Sequence, residues 1–217
     1  GTIADIVPLT DENRILARIG LNAIRRSPRP GLQALLKVAG IADKPLTGYS
    51  IGFMLAPRLN AAGRVGHAEL AARLLLTQDE SEAATLAAEL DNLNRSRQSI
   101  EESILTQATA LVEAGRLADR RAIVVAAEGW REGVIGIVAA KLVDRFCRPC
   151  IVVALKEERG KGSGRSVSGF DLHTALQAGR RRAAARGRHR DRARDLLRRA
   201  LRRHAAGRGG QGYRGRR

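Results

Sequence analysis

Aromatic side chains are scarce in this 217-residue chain: three Phe, two Tyr and one Trp make up 3% of it. Stacking of many bases is thereby excluded as the main source of affinity for any nucleic acid. Cysteine is nearly absent too. Cys147 and Cys150 form a lone C-x-x-C, which has too few sulfurs for a four-ligand zinc site. The pair also follows an expected helix instead of opening one, where the dipole would lower a thiol pKa, so it reads as structural. No apolar run approaches the length of a membrane span, and no charged start leads into an apolar stretch as in a signal peptide. The expected setting is cytoplasmic, with no membrane partner, although a chain that opens on glycine carries no testimony about a leader.

Acidic residues are missing from one end only. Residues 180–217 hold 16 of the 39 basic residues and two of the 22 acidic ones, a net charge of +14, against +3 for residues 1–179. The headline +17 is mostly a property of this tail, and the body is a nearly balanced segment long enough to bury a core. The tail has no Lys, Glu, Ile, Val, Phe or Pro. An arginine cluster of this kind ordinarily reads as a nucleic-acid arm, but a GC-rich gene read out of frame yields the same composition.

What is present, and informative, is Pro57-Arg58-Leu59-Asn60-Ala61-Ala62-Gly63-Arg64. Two arginines and an amide in one short apolar run suit a surface that meets phosphates, because guanidinium groups are planar, fixed in charge and rich in donors. The alternative is a solvated helix face that turns at Gly63. This run is preceded by "GTIAD" (Gly1 to Asp5) and "ENR" (Glu12 to Arg14). It is followed by "LNRSRQSIEE" (Leu93 to Glu102), "EGWREGVIGIVAAKLVDRF" (Glu128 to Phe146) and "GSGRS" (Gly162 to Ser166). Together these motifs resemble the RecJ family, single-stranded-DNA-specific 5′ to 3′ exonucleases of bacteria in the DHH phosphoesterase superfamily. The resemblance covers roughly residues 1 to 178 and stops there. The family's Gly-Gly-His continuation after Phe170 to Leu176 is not supplied by Arg203 to Gly210. Residues from about 179 onward are therefore expected to be frameshifted; a Gly-Gly-His segment in another frame of the locus would support this, and its absence in every frame would sink it.

The rhythm of the chain divides it into zones. After an opening loop, residues 1–78 are expected to be helical, with Thr10 or Asp11 as a cap and with Ile15, Leu16, Ile19 and Ala23 on one packing face. From Asp79 to Ala114 there is neither Pro nor Gly, and Leu86, Leu90, Leu93, Ile100, Ile104, Leu105 and Leu111 form a stripe. One long helix joining two domains is expected, the alternative being a hairpin that breaks near Asn92 to Ser96. Beyond Arg121, "AIVVAA", "EGVIGIVAAKLVDRF" and "CIVVAL" read as strand, helix and strand with a parallel pair, followed by a Gly-rich turn. The class is α/β. The resemblance implies the helical end of a DHH domain (1–78), a connector helix (79–115), the first part of an α/β DHH-associated domain (116–178) and the Arg-rich tail (179–217).

The resemblance also implies roles for single residues. Asp5 matches a carboxylate that, with Asp and His residues from motifs outside this sequence, holds two Mn²⁺ or Mg²⁺ ions; oxygen ligands suit these metals, and paired metals suit in-line phosphodiester hydrolysis. Read alone, Asp5 is a loop aspartate. His67, His173, His189 and His204 show no ligand spacing, so no complete metal site and no catalytic residue is expected. Ser163, Gly164 and Arg165 match the pocket for a 5′ phosphate: a hydroxyl, an approachable backbone and a two-pronged cation. A flexible turn is the alternative there. Arg58, Asn60 and Arg64 are assigned to the strand's backbone or the cleft wall. Arg131 stands where the family usually has His and offers a phosphate contact in its place; beside it, Trp130 could stack on a base or simply be core.

Single-stranded DNA with a 5′ phosphate is therefore the expected partner, in DNA repair and recombination, with a chain inactive by itself. Alternatives are a DHH phosphodiesterase acting on short oligonucleotides or cyclic dinucleotides, a non-catalytic nucleic-acid-binding module whose affinity lies in the tail, and a piece whose cores are incomplete.

Overall fold

In the computed structural model residues 1–157 and 159–185 are described. His189, His204 and the Arg-rich stretch past Ala185 lie outside the described residues. The chain divides into two compact units, Gly1–Ser103 and a second beginning at Ile104. No helix among the described residues is long and apolar enough to cross a membrane.

The first unit is all helical. Its elements are α1 (Asp11–Arg25), α2 (Pro30–Val38), α3 (Ala56–Val65), α4 (Glu69–Leu76) and the first two thirds of α5 (Glu80–Ala114). Pro30 opens α2, a position where its missing N–H and fixed φ cost nothing. Leu35, Leu36, Ile41, Leu55, Ala62, Leu74, Leu86 and Leu90 form the core. Gly31 lies at its tightest point: a Cβ built there would stand 1.6 Å from the Leu74 carbonyl oxygen, so α2 approaches α4 as closely as backbone allows.

A six-residue π-helical turn, Ser50–Leu55, runs directly into α3. Pro57 accounts for it, since its ring would collide with the Phe53 carbonyl of a regular α-helix and it has no N–H to offer.

α1 departs from expectation. Thr10 is its N-cap residue, without a side-chain cap bond. Ile15, Leu16 and Ile19, expected to pack inward, are 59%, 62% and 62% exposed, and Ala23 is exposed as well. It is Ile24 that touches the core. Periodicity identifies a face in want of a cover but not what covers it, and here the inward stripe is the less apolar one.

α5 is one unbroken helix of 35 residues, about 52 Å at 1.5 Å per residue. Asp79 caps it, Oδ1 accepting from the N–H groups of Ser81 (2.7 Å) and Glu82 (3.0 Å). The Thr77 hydroxyl, and then Arg73, hold the Glu82 carboxyl below its ordinary range. Ala83, Leu86, Ala87 and Leu90 are buried in the first unit, and Ile104, Ala108 and Val112 in the second. Asp91, Asn94 and Glu101 are also buried along it, and they are paired: Asp91 with Arg58 and Arg95, and Arg97 with both Asn94 and Glu101.

In the second unit β1 (Ile123–Glu128), α6 (Ile135–Phe146) and β2 (Cys150–Lys156) form the expected strand, helix and strand, with β1 and β2 parallel. Such a pair needs a crossover helix, and α6 supplies it. Ile123, Val125 and Val152 are buried in the sheet, and Val134, Ile135, Val138 and Leu142 at α6.

The expected Gly-rich turn is instead a strand, β3 (Arg159–Arg165), antiparallel to β2 in the order β1-β2-β3. Its glycines are packing devices. A Cβ at Gly160 would stand 3.0 Å from Val153 Cγ1, and one at Gly164 would stand 2.9 Å from Leu172 Cδ2. α7 (Leu172–Ala185) follows, capped by Asp171, whose Oδ1 accepts from the Thr174 N–H at 3.0 Å.

Cys147 closes α6 in the left-handed region (φ +50) and is exposed, whereas Cys150 is buried at the start of β2. Burial pushes the Cys150 thiol up to about 11, the opposite of the lowered pKa of a redox C-x-x-C.

Candidate nucleic-acid interface

Each unit carries one group of the residues singled out above. In the second, strand alternation sorts β3 into two faces: Gly160, Gly162 and Gly164 lie on one, Arg159, Lys161, Ser163 and Arg165 on the other. α6 packs against β2 and β3, and its first turn meets the Ser163 face. A Cβ at Gly136 would lie 2.9 Å from Ser163 Oγ and 3.4 Å from Arg165 Nη2. The missing side chain therefore lets the opening turn of the helix come close to a hydroxyl and a guanidinium.

A hydroxyl and a guanidinium beside a helix N-terminus are groups suited to an anion. In that turn the N–H groups of Ile135 and Ile137 donate to the carbonyls of Arg131 and Val134, and the helix dipole adds partial positive charge there. Arg165 is exposed; its Nη1 donates to the Gly164 carbonyl at 2.8 Å and lies 3.4 Å from Ser163 Oγ, which anchors the side chain along the strand. Lys161 Nζ pairs with Glu132 Oε2 at 3.2 Å in the loop before α6. Arg131 is exposed in the same loop, and its carbonyl accepts from the N–H groups of Val134 and Ile135. Trp130 is not available for stacking: it is 5% exposed, and its Nε1 donates to Gln107 Oε1 at 3.0 Å.

In the first unit, the arginines of α3 part company. Arg58 is turned inward, its Nε donating to Asp91 Oδ1 at 2.8 Å and its Nη1 to the Met54 carbonyl at 2.5 Å. It ties the π-helical turn and α3 to α5, a structural duty that its motif did not reveal. Asn60 and Arg64 face outward on α3.

Asp5 is exposed in the opening turn, its N–H bonded to the Gly1 carbonyl. Among the described residues no group of three or more His, Cys, Asp or Glu side chains could hold a metal ion. His67 is exposed, and His173 is engaged with Gln177.

Sequence reasoning passed over Gly136, Lys161 and an exposed aromatic pair, Tyr49 and Phe53. The strict alternation of Gly with Arg, Lys and Ser from Arg159 to Arg165 was the signal that could have revealed the first two, because it is the pattern of a two-faced strand.

No protein-family model matches the chain. It is 51% identical over 178 residues to the single-stranded-DNA-specific exonuclease RecJ of Bacillus subtilis, a match covering 81% of this chain and 22% of that protein. It is 41% identical over 182 residues to RecJ of Escherichia coli, covering 82% of this chain and 32% of that protein. A crystal structure of RecJ from Thermus thermophilus in complex with Mg²⁺ superposes with a TM-score of 0.71 at 38% identity, over 82% of this chain and 27% of that one. A RecJ structure bound to manganese matches with a TM-score of 0.69, over 81% and 43%. The chain thus spans between about a fifth and a third of the length of its curated relatives. In sequence and in fold, it is a homologue of one segment of the RecJ single-stranded-DNA-specific exonucleases.

Proposed function

We propose that this chain is the strand-holding segment of a RecJ-like 5′ to 3′ single-stranded-DNA exonuclease, a cytoplasmic bacterial enzyme of DNA repair and recombination, and that its second unit grips the DNA 5′ phosphate. The meeting of Ser163 and Arg165 with the opening turn of α6 at Gly136 carries the reading. A terminal phosphate has more charge and more free oxygens than an internal diester. It accepts two parallel bonds from Arg165 and one from the Ser163 hydroxyl, and the dipole of α6 adds partial positive charge. Asn60, Arg64 and Arg131 hold the strand's backbone, which fixes position without reading sequence. Arg58 serves them indirectly, by holding α3 against α5. The cleaved bond is then chosen by its distance from the anchored end.

By this reading residues 1–78 are the end of a DHH domain, α5 is its connector, and residues 116–178 are the start of the DHH-associated domain. Magnesium or manganese, which accompany the structures of the relatives, would meet Asp5 alone here. That single carboxylate is not a site, and no chemical step is assigned to this chain. Purified protein is expected to release no nucleotides from single-stranded DNA with either ion; release that Asp5→Ala abolishes would contradict this.

The pocket itself is tested by Arg165→Ala and Arg165→Lys. Binding of a 5′-phosphorylated oligonucleotide should fall to the level of the 5′-hydroxyl strand in the first. Lysine should restore only part of the difference, being a point charge without the fork. Equal binding of both strands by Arg165→Ala and by the parent would remove the pocket.

A further inference from the structure

Two of the chain's few aromatics are placed where packing does not need them. Tyr49 and Phe53 are 65% and 67% exposed, yet their rings stack on each other, with centroids 4.9 Å apart and planes 24° apart. They belong to the helical run from Gly48 to Val65 that includes the π-helical turn and α3. Buried Leu55, Ala56, Ala61 and Ala62 mark its inner side; Asn60 and Arg64, four residues apart on α3, lie on its outer side, and Phe53 is exposed as they are. Exposed rings, an amide and a guanidinium therefore share one helical run.

We infer that Tyr49 and Phe53 are a stacking platform for the bases of single-stranded DNA. The inference rests on the reading of the chain as a strand-holding segment and adds to it a base-contacting site. A base laid on the outer ring extends the existing stack, and every base has a π-face, so the platform is indifferent to sequence. Arg64, further along the run, meets the phosphate track of the same strand.

Charge decides between nucleic acid and a protein partner. From Lys44 to Ala68 the sequence contains no Asp or Glu but does contain Lys44, Arg58 and Arg64. An uninterrupted acid-free stretch around an aromatic pair suits a polyanion with flat bases. The shortage of aromatics elsewhere confines stacking to this one step.

The test compares a short oligothymidylate with an abasic strand of the same length, both with 5′-hydroxyl ends, titrated against the full chain at one salt concentration. The Arg tail binds phosphates equally in both strands, so the ratio of affinities isolates the bases. The parent is expected to prefer the base-bearing strand by about 5-fold to 100-fold. Tyr49→Ala with Phe53→Ala should bring the ratio to about one, while Tyr49→Phe keeps it. Far-UV circular dichroism of the double variant checks its fold. Photo-crosslinking of a 5-iodouracil strand to the parent, mapped by mass spectrometry, answers independently of any variant and should mark Tyr49 or Phe53.

A ratio near one in the parent overturns the inference. So does a ratio unchanged in the double variant, which, if self-association also falls, assigns the pair to a protein interface. Arg165→Ala, run alongside, should leave the base ratio intact, so that loss of the 5′-phosphate preference and loss of stacking are read separately.

Discussion

Replacing Gly31 by alanine is expected to destabilise the first unit by about 3 kcal/mol, near the upper end of what an added methyl does in a packed core. Three effects compete. Alanine is the better helix former by about 1 kcal/mol, and a buried methyl adds roughly 0.8 kcal/mol of transfer free energy. Against both stands a steric demand with no soft solution: the new Cβ would sit 1.6 Å from the Leu74 carbonyl oxygen and 2.7 Å from its carbon, both backbone atoms. Relief requires α2 and α4 to separate, and Leu35, Leu36 and Leu74 lie buried near that contact. Gly20 in α1 is the control, because a Cβ there meets nothing within 4 Å; Gly20→Ala should raise stability by about 0.5 to 1 kcal/mol. Urea unfolding of the two variants should therefore move the midpoint in opposite directions. A neutral Gly31→Ala would show that the helices are not as close as described.

The second large effect is at Asp91. Its side chain is 9% exposed and that of Arg58 is 17% exposed, so removal of one partner strands the other in a largely dry place. Asp91→Ala is expected to cost about 3 kcal/mol. Asp91 also pairs with Arg95 at 2.8 Å, but Arg95 is 74% exposed, and such a surface pair contributes little. Arg58→Met combined with Asp91→Leu should recover most of the loss, since an apolar pair of similar volume needs no desolvation of charge. A double-mutant cycle from denaturant unfolding supplies the coupling energy. If Asp91→Ala were harmless, Arg58 would be free to reach solvent, and its assignment to the DNA backbone would regain force over the structural one.

Arg58 illustrates what the sequence could and could not disclose. The motif marked α3 as unusual, and correctly, but three of its residues looked alike on paper. Which of them faces inward was decided by Asp91, 33 positions away on α5, and no local pattern records such a partner. The long helix was legible because Pro and Gly are missing from Asp79 to Ala114, and the parallel pair because two apolar runs flank an amphipathic segment.

The strand β3 was not legible, for a physical reason. Glycine is depleted in strands, so Gly160, Gly162 and Gly164 read as a turn. They are tolerated because β2 pairs with them along their length, and they are required because Val153 and Leu172 leave no room for side chains. Once that strand is recognised, Ser163 and Arg165 share one of its faces, and Gly136 is where α6 comes close to them. α1 failed in the opposite way: its apolar face was read correctly as apolar and wrongly as packed.

The measurement that bears most directly on this account is the affinity of the full chain for 5′-phosphorylated and 5′-hydroxyl forms of one single-stranded oligonucleotide, with Gly136→Ala beside the parent. Phosphates along the strand and the Arg tail contribute equally to both forms, so the ratio reports the end alone. The account predicts tighter binding of the phosphorylated strand, and a marked loss of that preference when a methyl placed 2.9 Å from Ser163 Oγ displaces the hydroxyl. Identical affinities in the parent, or a preference untouched by Gly136→Ala, would contradict it.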